Sequence, residues 1–462
     1  MDGSFKIGHV VAVASRHPFY SSHKYPLNPK EVEEITSREL TANCTHGLLS
    51  QCQILHKEDL YKEVTRLFAD DDPLNTFRHS TYISTTGGGG GGSQCLMFLT
   101  DSVENRAQRK ACSNLLRKLN VLTTNDCVLS MHTSGKMYRA LDLVTDILEN
   151  AGASVLPVGH LASPQEILAT CKAFGANALT GDTSQIVQFT SWVESAKISD
   201  CLRINKILYT SESMSRSQRS YIQSVFGRDG SPVIFSSLLA SAEMGPWAVG
   251  CFDLTGPQED DTADLIFDTR HMVVEVMPLD FDLSTRQSPC RIVEGETGIL
   301  IVTSLQRLRN PLVRYVTGDI GSIHHLPTSA SLQLGKESEH LRVLRLHGRD
   351  LRNSFKWQGE YFELNRLKEL MSNPSWGIVL WQIVLADNPS NCETLEIRLM
   401  QKTGTDGLIA HEDILEILKD HFCVHANNES LFHANLHSPD DFIRSSSGNK
   451  VIKLVDRRGK ME

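Results

Sequence analysis

The sequence lacks most features that mark a specialised environment. Its 462 residues contain no apolar run of about 18 residues, so no membrane-spanning helix is expected. The opening residues Met-Asp-Gly-Ser-Phe-Lys have no apolar core of signal-peptide length, and the closing Gly-Lys-Met-Glu carries neither a prenylation box nor a peroxisomal tripeptide. Eleven cysteines are spread from Cys44 to Cys423 without a single Cys-x-x-Cys pair, so they read as reduced, mostly buried thiols, and a structural zinc site is not expected. Positive charge is not in excess either. Forty-six basic against 55 acidic side chains leave a formal charge of −9, which offers no general attraction to phosphate polymers. No repeat occurs at a solenoid period. These absences predict a cytoplasmic protein with neither nucleic acid nor membrane as a partner.

What remains is an ordinary globular composition, 40% apolar and 22% charged, at a length that suits two to four domains. The one local oddity is a run of six glycines, Gly87 to Gly92. Residues Lys57 to Phe68 repeat apolar side chains at helical spacing. From Asp126 onward strands and helices alternate: a strand at Cys127–Met131, a helix from Met137 to Leu148 closed by Gly152, a strand at Ser154–Val158 and a helix at Pro164–Phe174. A further helix near Ser191 and strands at Ile207–Tyr209 and Val233–Phe235 continue the series. A strand, crossover helix and second strand imply parallel pairing. After an acidic stretch at Glu259–Asp264 the pattern turns to strands, at Met272–Val276 and Ile299–Thr303, with Glu294–Gly298 as a turn between them. Beyond Gly348-Arg349-Asp350, strands at Val379–Leu385 and Leu395–Leu399 and a helix at Ile414–Phe422 mark a separate unit. The expected class is α/β: a large N-terminal domain, residues 1–348, with a mostly parallel sheet, and a smaller, mobile α+β C-terminal domain, residues 349–462.

Chemistry-bearing residues fall between these elements. Ser84-Thr85-Thr86 heads the glycine run, and hydroxyls followed by unhindered backbone N–H groups suit an anion-binding loop. A glycine run also suits a flexible linker. Its place between Tyr82-Ile83 and Leu96-Met97-Phe98-Leu99, together with the three hydroxyls, favours a phosphate-binding hairpin loop. No Lys-Ser/Thr follows, so it is not a Walker A loop. Arg314-Tyr315-Val316-Thr317-Gly318-Asp319 places a carboxylate just past a strand and a glycine, where it can accept bonds from ribose hydroxyls or close a simple turn. Glu243, beyond the strand at Val233–Phe235, is a candidate Mg²⁺ ligand or a surface acid. Lys450 lies in a polar loop near the C-terminus.

Taken in order, these pieces resemble the ANL superfamily of adenylate-forming enzymes, and within it the phenylacetate–CoA ligase-like branch, over nearly the whole chain. His17-Pro18-Phe19-Tyr20 and Leu55-His56-Lys57-Glu58-Asp59-Leu60 are similar to its N-terminal segments. Ser84 to Gly92 resembles its phosphate loop, Ser211-Glu212-Ser213-Met214 falls at its adenine loop, and Leu239-Ala240-Ser241-Ala242-Glu243 takes the place of Tyr-Gly-Ser-Thr-Glu. Arg314–Asp319, Gly348-Arg349-Asp350 and Lys450 with Val455-Asp456-Arg457-Arg458 complete the series. The resemblance implies ATP, Mg²⁺ and CoA as cofactors, and a carboxylic acid and a thiol acceptor as partners. By the same resemblance Ser84, Thr85, Thr86, Gly87, Gly88 and Gly89 would hold phosphates; Ser211, Glu212 and Ser241 would lie about the base; Asp319 and Arg349 would grip the ribose. Glu243 would bind Mg²⁺, Lys450 would be catalytic, His132 would line the acyl pocket and Asp350 would be the hinge. The implied reaction forms an acyl-adenylate and then a CoA thioester. An amine or other acceptor, or a catalytically silent nucleotide-binding homologue, is the alternative. Three positions depart from the pattern: glycine stands where the phosphate loop usually ends in lysine, Leu239 replaces an aromatic, and Ala242 replaces a hydroxyl.

Overall fold

The helices begin and end where the sequence supplies caps. Ser163 and Glu166 form a capping box at the head of the helix Pro164–Phe174, and left-handed Gly175 ends it. Asp182 with Gln185 and Ser215 with Gln218 do the same for the helices Thr183–Ser195 and Arg216–Phe226. Asp101 caps the long helix Ser102–Lys118 by accepting from the N–H groups of Val103 and Glu104. The helix expected from Met137 begins instead at Ala140 and runs to Ala151, closed by Gly152 as foreseen. The reason is local: Met137 takes a φ of 64° and Gly135 bridges Tyr138, so these residues form a turn before the helix.

The structure is a computed structural model that describes residues 4–38, 48–85, 97–135, 137–211, 213–227, 231–256, 262–279, 281, 294–349, 354–358, 360–389, 392–402, 408–445 and 449–458. A two-stranded hairpin pairs β1 (Thr81–Thr85) with β2 (Met97–Asp101), Thr85 facing Met97. Eleven strands make the main sheet. Its parallel half comprises β3 (Cys127–Ser130), β4 (Ser154–Pro157), β5 (Ala178–Asp182), β6 (Lys206–Thr210) and β7 (Ile234–Ser241), in the order β4-β3-β5-β6-β7. Beyond β7 the pairing is antiparallel, through β8 (Gly245–Val249), β9 (Ala263–Asp268), β13 (Leu341–Arg349), β12 (Tyr315–His324), β11 (Gly298–Ser304) and β10 (Met272–Met277). The parallel pairing read from the alternating segment thus belongs to one half of the sheet. The other half turns antiparallel because the chain after β7 no longer inserts long crossover helices between successive strands. Glu294 to Gly298 leads into β11, with Glu294 bridging Ile323 of β12.

The C-terminal residues build their own sheet, β18 (Phe432–Leu436), β17 (Glu393–Gln401), β16 (Ile378–Asp387) and β19 (Leu454–Asp456), preceded by the hairpin of β14 (Ser354–Trp357) and β15 (Glu360–Glu363). Phe355, Trp357, Phe362, Phe422 and Phe432 fill its core. A second apolar cluster crosses between the two sheets: Val379, Leu380, Met400, Phe442 and Val451 pack into the core that holds Phe189 and Phe226. No described helix is long and apolar enough to cross a membrane.

Candidate active site

Glu243 follows β7 in the middle of the main sheet, where parallel gives way to antiparallel pairing between β7 and β8. Ser241 ends β7, and its Oγ accepts from the Met244 N–H at 3.0 Å, closing a tight turn that carries Glu243. Beneath the turn, Gln108 donates to the Met244 carbonyl at 2.6 Å. Gly245 has to be glycine here: its φ is 70°, and a Cβ would sit 2.4 Å from Gln108 Oε1.

Glu243 is 5% exposed. Its Oε1 accepts from Tyr61 Oη at 2.9 Å and from Tyr315 Oη at 3.4 Å, and lies 3.6 Å from Lys57 Nζ. Burial works against its charge, yet Lys57 first, and then hydrogen bonds from its own backbone, Tyr61 and Ser241, outweigh burial and hold the carboxyl below its ordinary value. Arg307, only 1% exposed, adds a buried positive charge whose field is coupled to Glu104 and Glu243; burial lowers the guanidinium to about 10, so it stays protonated at neutral pH. Among the described residues its Nε and Nη1 have no hydrogen-bond partner, and its Nη2 reaches Gln108 Oε1 at 3.4 Å. Sequence reasoning missed Lys57, Tyr61, Gln108 and Arg307 as neighbours of Glu243. Lys57 was read in a segment resembling the family's N-terminal part and Tyr61 as part of the helical run Lys57 to Phe68, neither with a role at the site, and nothing local marks the other two.

A second group of contacts gathers at Gly135, Met137, Tyr138 and Arg139, just before the helix Ala140–Ala151. The Thr85 N–H donates to the Met137 carbonyl at 3.1 Å, docking the root of the glycine loop on this turn. Lys450 Nζ lies 5.4 Å from the centre of the Tyr138 ring, a cation–π contact between the two sheet units. His132 is 2% exposed, bonds Thr180 Oγ1 through Nε2 at 3.0 Å, and is pushed down to about 3 by burial and by the nearby Lys450, so it is neutral. It does not line the cavity of about 640 Å³ that opens beside Gly135, Tyr138, Arg139 and Asp142.

The ribose candidates are cross-strand neighbours: Asp319 on β12 stands directly opposite Arg349 on β13. Gly318 before Asp319 has a φ of 75°, and the Asp319 N–H donates to Thr317 Oγ1 at 3.0 Å. Arg314 does not reach the site. It is fully buried in a two-point pair with Glu275 of β10, at 3.0 and 3.1 Å, and so fixes the start of β12. Ser84 donates to the Thr85 carbonyl at 3.3 Å, and Thr85 is buried with its Oγ1 lacking a partner among the described residues. Ser211 has a φ of 77° and lies 3.1 Å from the Thr210 hydroxyl. Thr86, Gly87 to Gly92, Glu212, Asp350 and the Arg349 side chain lie outside the described residues.

No protein-family model matches the chain, and no curated protein matches it. Solved structures do match. 2-Hydroxyisobutyryl-CoA ligase in its postadenylation state, in complex with 2-HIB-AMP, aligns with a TM-score of 0.64 at 16% identity, over 97% of this chain and 88% of its own. The same ligase in its thioesterification state, in complex with 2-HIB-AMP and CoA, aligns with a TM-score of 0.54 at 16% identity, over 98% and 89%. ATP-bound MatB from Rhodopseudomonas palustris aligns with a TM-score of 0.50 at 14% identity, over 80% and 66%. At such low identity the likeness is one of fold, spanning nearly the whole chain for the first two structures and 80% of it for the third. The chain therefore shares the fold of these solved structures.

Proposed function

We propose that the protein activates a carboxylic acid with ATP, forming an acyl-adenylate and pyrophosphate, and then passes the acyl group to a thiol, CoA, as an acid–thiol ligase of the phenylacetate–CoA ligase-like branch. The observation that carries this reading is the meeting of Lys450, delivered from the C-terminal unit, with Tyr138 and His132 beside the root of the glycine loop. An ammonium there can bridge the attacking carboxylate and the α-phosphate, where charge develops in the transition state. Thr85, Thr86 and the N–H groups of Gly87 to Gly89 hold the β- and γ-phosphates. Asp319 and Arg349, opposite one another on adjacent strands, grip the ribose hydroxyls. Ser211, Glu212 and Ser241 lie about the adenine.

Glu243 suits Mg²⁺, because it is a buried carboxylate kept ionised by its neighbours, and the ion prefers one or two carboxylates with phosphate oxygens completing its shell. Bound there, the ion would neutralise phosphate charge. After adenylation, rotation of the C-terminal unit about Asp350 withdraws Lys450 and admits the thiol.

The test is pyrophosphate release over a panel of aryl, short-chain and amino acids, with and without CoA, for the wild type and Lys450→Ala. Adenylation by Lys450→Ala should fall roughly 10²–10³-fold, the scale for losing one transition-state charge donor, while thioester formation from supplied acyl-adenylate falls far less. Equal loss in both steps, or none in either, counts against the role of Lys450. The glycine in place of the phosphate-loop lysine, with Leu239 and Ala242, favours a second reading, a silent nucleotide-binding homologue. Release that depends on the acid would remove it.

A further inference from the structure

Lys450 is held by a small set of contacts that ends at one side chain, Arg444. An isolated antiparallel bridge joins Arg444 to Val451. The Ser445 N–H donates to the Lys450 carbonyl at 2.8 Å, and the Lys450 N–H donates to Ser445 Oγ at 3.1 Å. Asn449, immediately before Lys450, takes a φ of 51°, the left-handed region that asparagine adopts more readily than most residues. Arg444 holds this turn, its Nη1 donating to the Asn449 carbonyl at 3.2 Å.

The same guanidinium reaches the other sheet unit. Its Nη1 lies 3.3 Å from Ser184 Oγ, and its Nη2 lies 3.3 Å from Gln188 Oε1 and 3.4 Å from the Pro439 carbonyl. Ser184 and Gln188 belong to the helix Thr183–Ser195 of the large unit. Ser184 is itself aimed by its bond to Asp182 at 2.7 Å, and Gln188 Nε2 donates back to Asp440 at 2.9 Å. One planar, five-donor group thus ties the backbone before Lys450 to a helix across the interface. A lysine ammonium, a single point of charge, cannot span these acceptors.

We propose that Arg444 is the positioning residue of Lys450: it seats the Asn449–Lys450 backbone against the helix Thr183–Ser195 and thereby sets the ammonium beside Tyr138. The inference rests on the adenylation role given to Lys450 above. It departs from that role in assigning the placement of the lysine, and its dependence on domain seating, to a second residue.

The experiment combines Arg444→Met and Arg444→Lys with Lys450→Ala and follows acid-dependent ATP–pyrophosphate exchange. Arg444→Met should lower kcat about 10- to 100-fold, with KM for ATP and acid within about threefold, because misplacement of a catalytic group acts on the transition state. Arg444→Lys should rescue little. In the Lys450→Ala background Arg444→Met should cost less than about twofold, since residues acting through one another are not additive. Multiplying losses in the double variant, or a wild-type kcat in Arg444→Met, would overturn the proposal. A readout independent of activity is acetic anhydride labelling of Lys450, measured by peptide mass. It should rise several-fold in Arg444→Met and in Gln188→Ala, while exposed Lys172 is unchanged. Unchanged Lys450 labelling in both variants overturns the proposal, whereas absence of exchange in the wild type with every acid removes the adenylation reading and leaves the labelling to decide Arg444.

Discussion

At Glu243, burial and hydrogen bonding pull in opposite directions, and the balance decides what the residue can do. A carboxylate that is 5% exposed would ordinarily take up a proton. Lys57 and the Tyr61 hydroxyl reverse this, so the group stays charged and available to a cation. Removing only that hydroxyl, in Tyr61→Phe, deletes a bond to a charged group worth about 1.5–3 kcal/mol. The Glu243 pKa should then rise, and the acid limb of the pH profile for pyrophosphate exchange should move up by about one to two units. An unmoved limb would mean that ionised Glu243 does not limit the rate.

Among the elements, β12 carries more of the site than any other strand, since it supplies Tyr315 against Glu243 and Asp319 against Arg349. Its position depends on the pair of Arg314 and Glu275, both fully buried and bonded at two points. The Arg314 Nη1 also donates to the Cys52 carbonyl at 3.2 Å, tying in the segment that leads to Lys57. Breaking a buried pair leaves a charge without a partner, which costs about 3–5 kcal/mol. Glu275→Gln or Arg314→Met should lower stability by that amount in urea titration. Replacing both should recover part of the loss. A single variant within 1 kcal/mol of the wild type would show that the pair is not what fixes this strand.

For the whole molecule, two buried histidines weaken the fold towards acid, while Glu104, pushed up to about 7 chiefly by burial, acts in the opposite direction. Burial lowers His17 to about 3, against a weaker upward pull from Asn310, and lowers His132 to about 3 through burial and Lys450. The unfolded chain binds these protons near the ordinary value of about 6.5, so between pH 6.5 and 3 it holds more protons than the folded chain. The histidines' contribution to stability is therefore full above pH 6.5 and falls as the pH drops through that window. Each histidine should cost roughly 2 kcal/mol by pH 5. Denaturant unfolding of the wild type and His132→Gln at pH 7 and pH 5 checks the sign: the pH-dependent loss should be smaller in the variant. Equal losses would mean that His132 titrates normally.

The sequence by itself determined the elements and the order of the motifs. Helices at Pro164–Phe174 and Lys57–Phe68 were legible because period and caps are local signals, and the hairpin around the glycine run because two apolar segments flank it. The parallel pairing in this half followed from crossover length, a local property as well, whereas β5 and the order β4-β3-β5-β6-β7 were not read from the sequence. Tertiary structure decided what each motif residue touches. Arg314 and Asp319 are five positions apart in one motif, yet one is locked in the core and the other stands opposite Arg349. Gln108 and Arg307 approach the Glu243 turn from distant parts of the chain, and Arg444 reaches Ser184 across 260 positions. Such contacts depend on which side chains the packed sheets bring within about 3–4 Å. One-dimensional spacing carries no such distance, so the motifs name the chemistry and the folded chain assigns each residue its part in it.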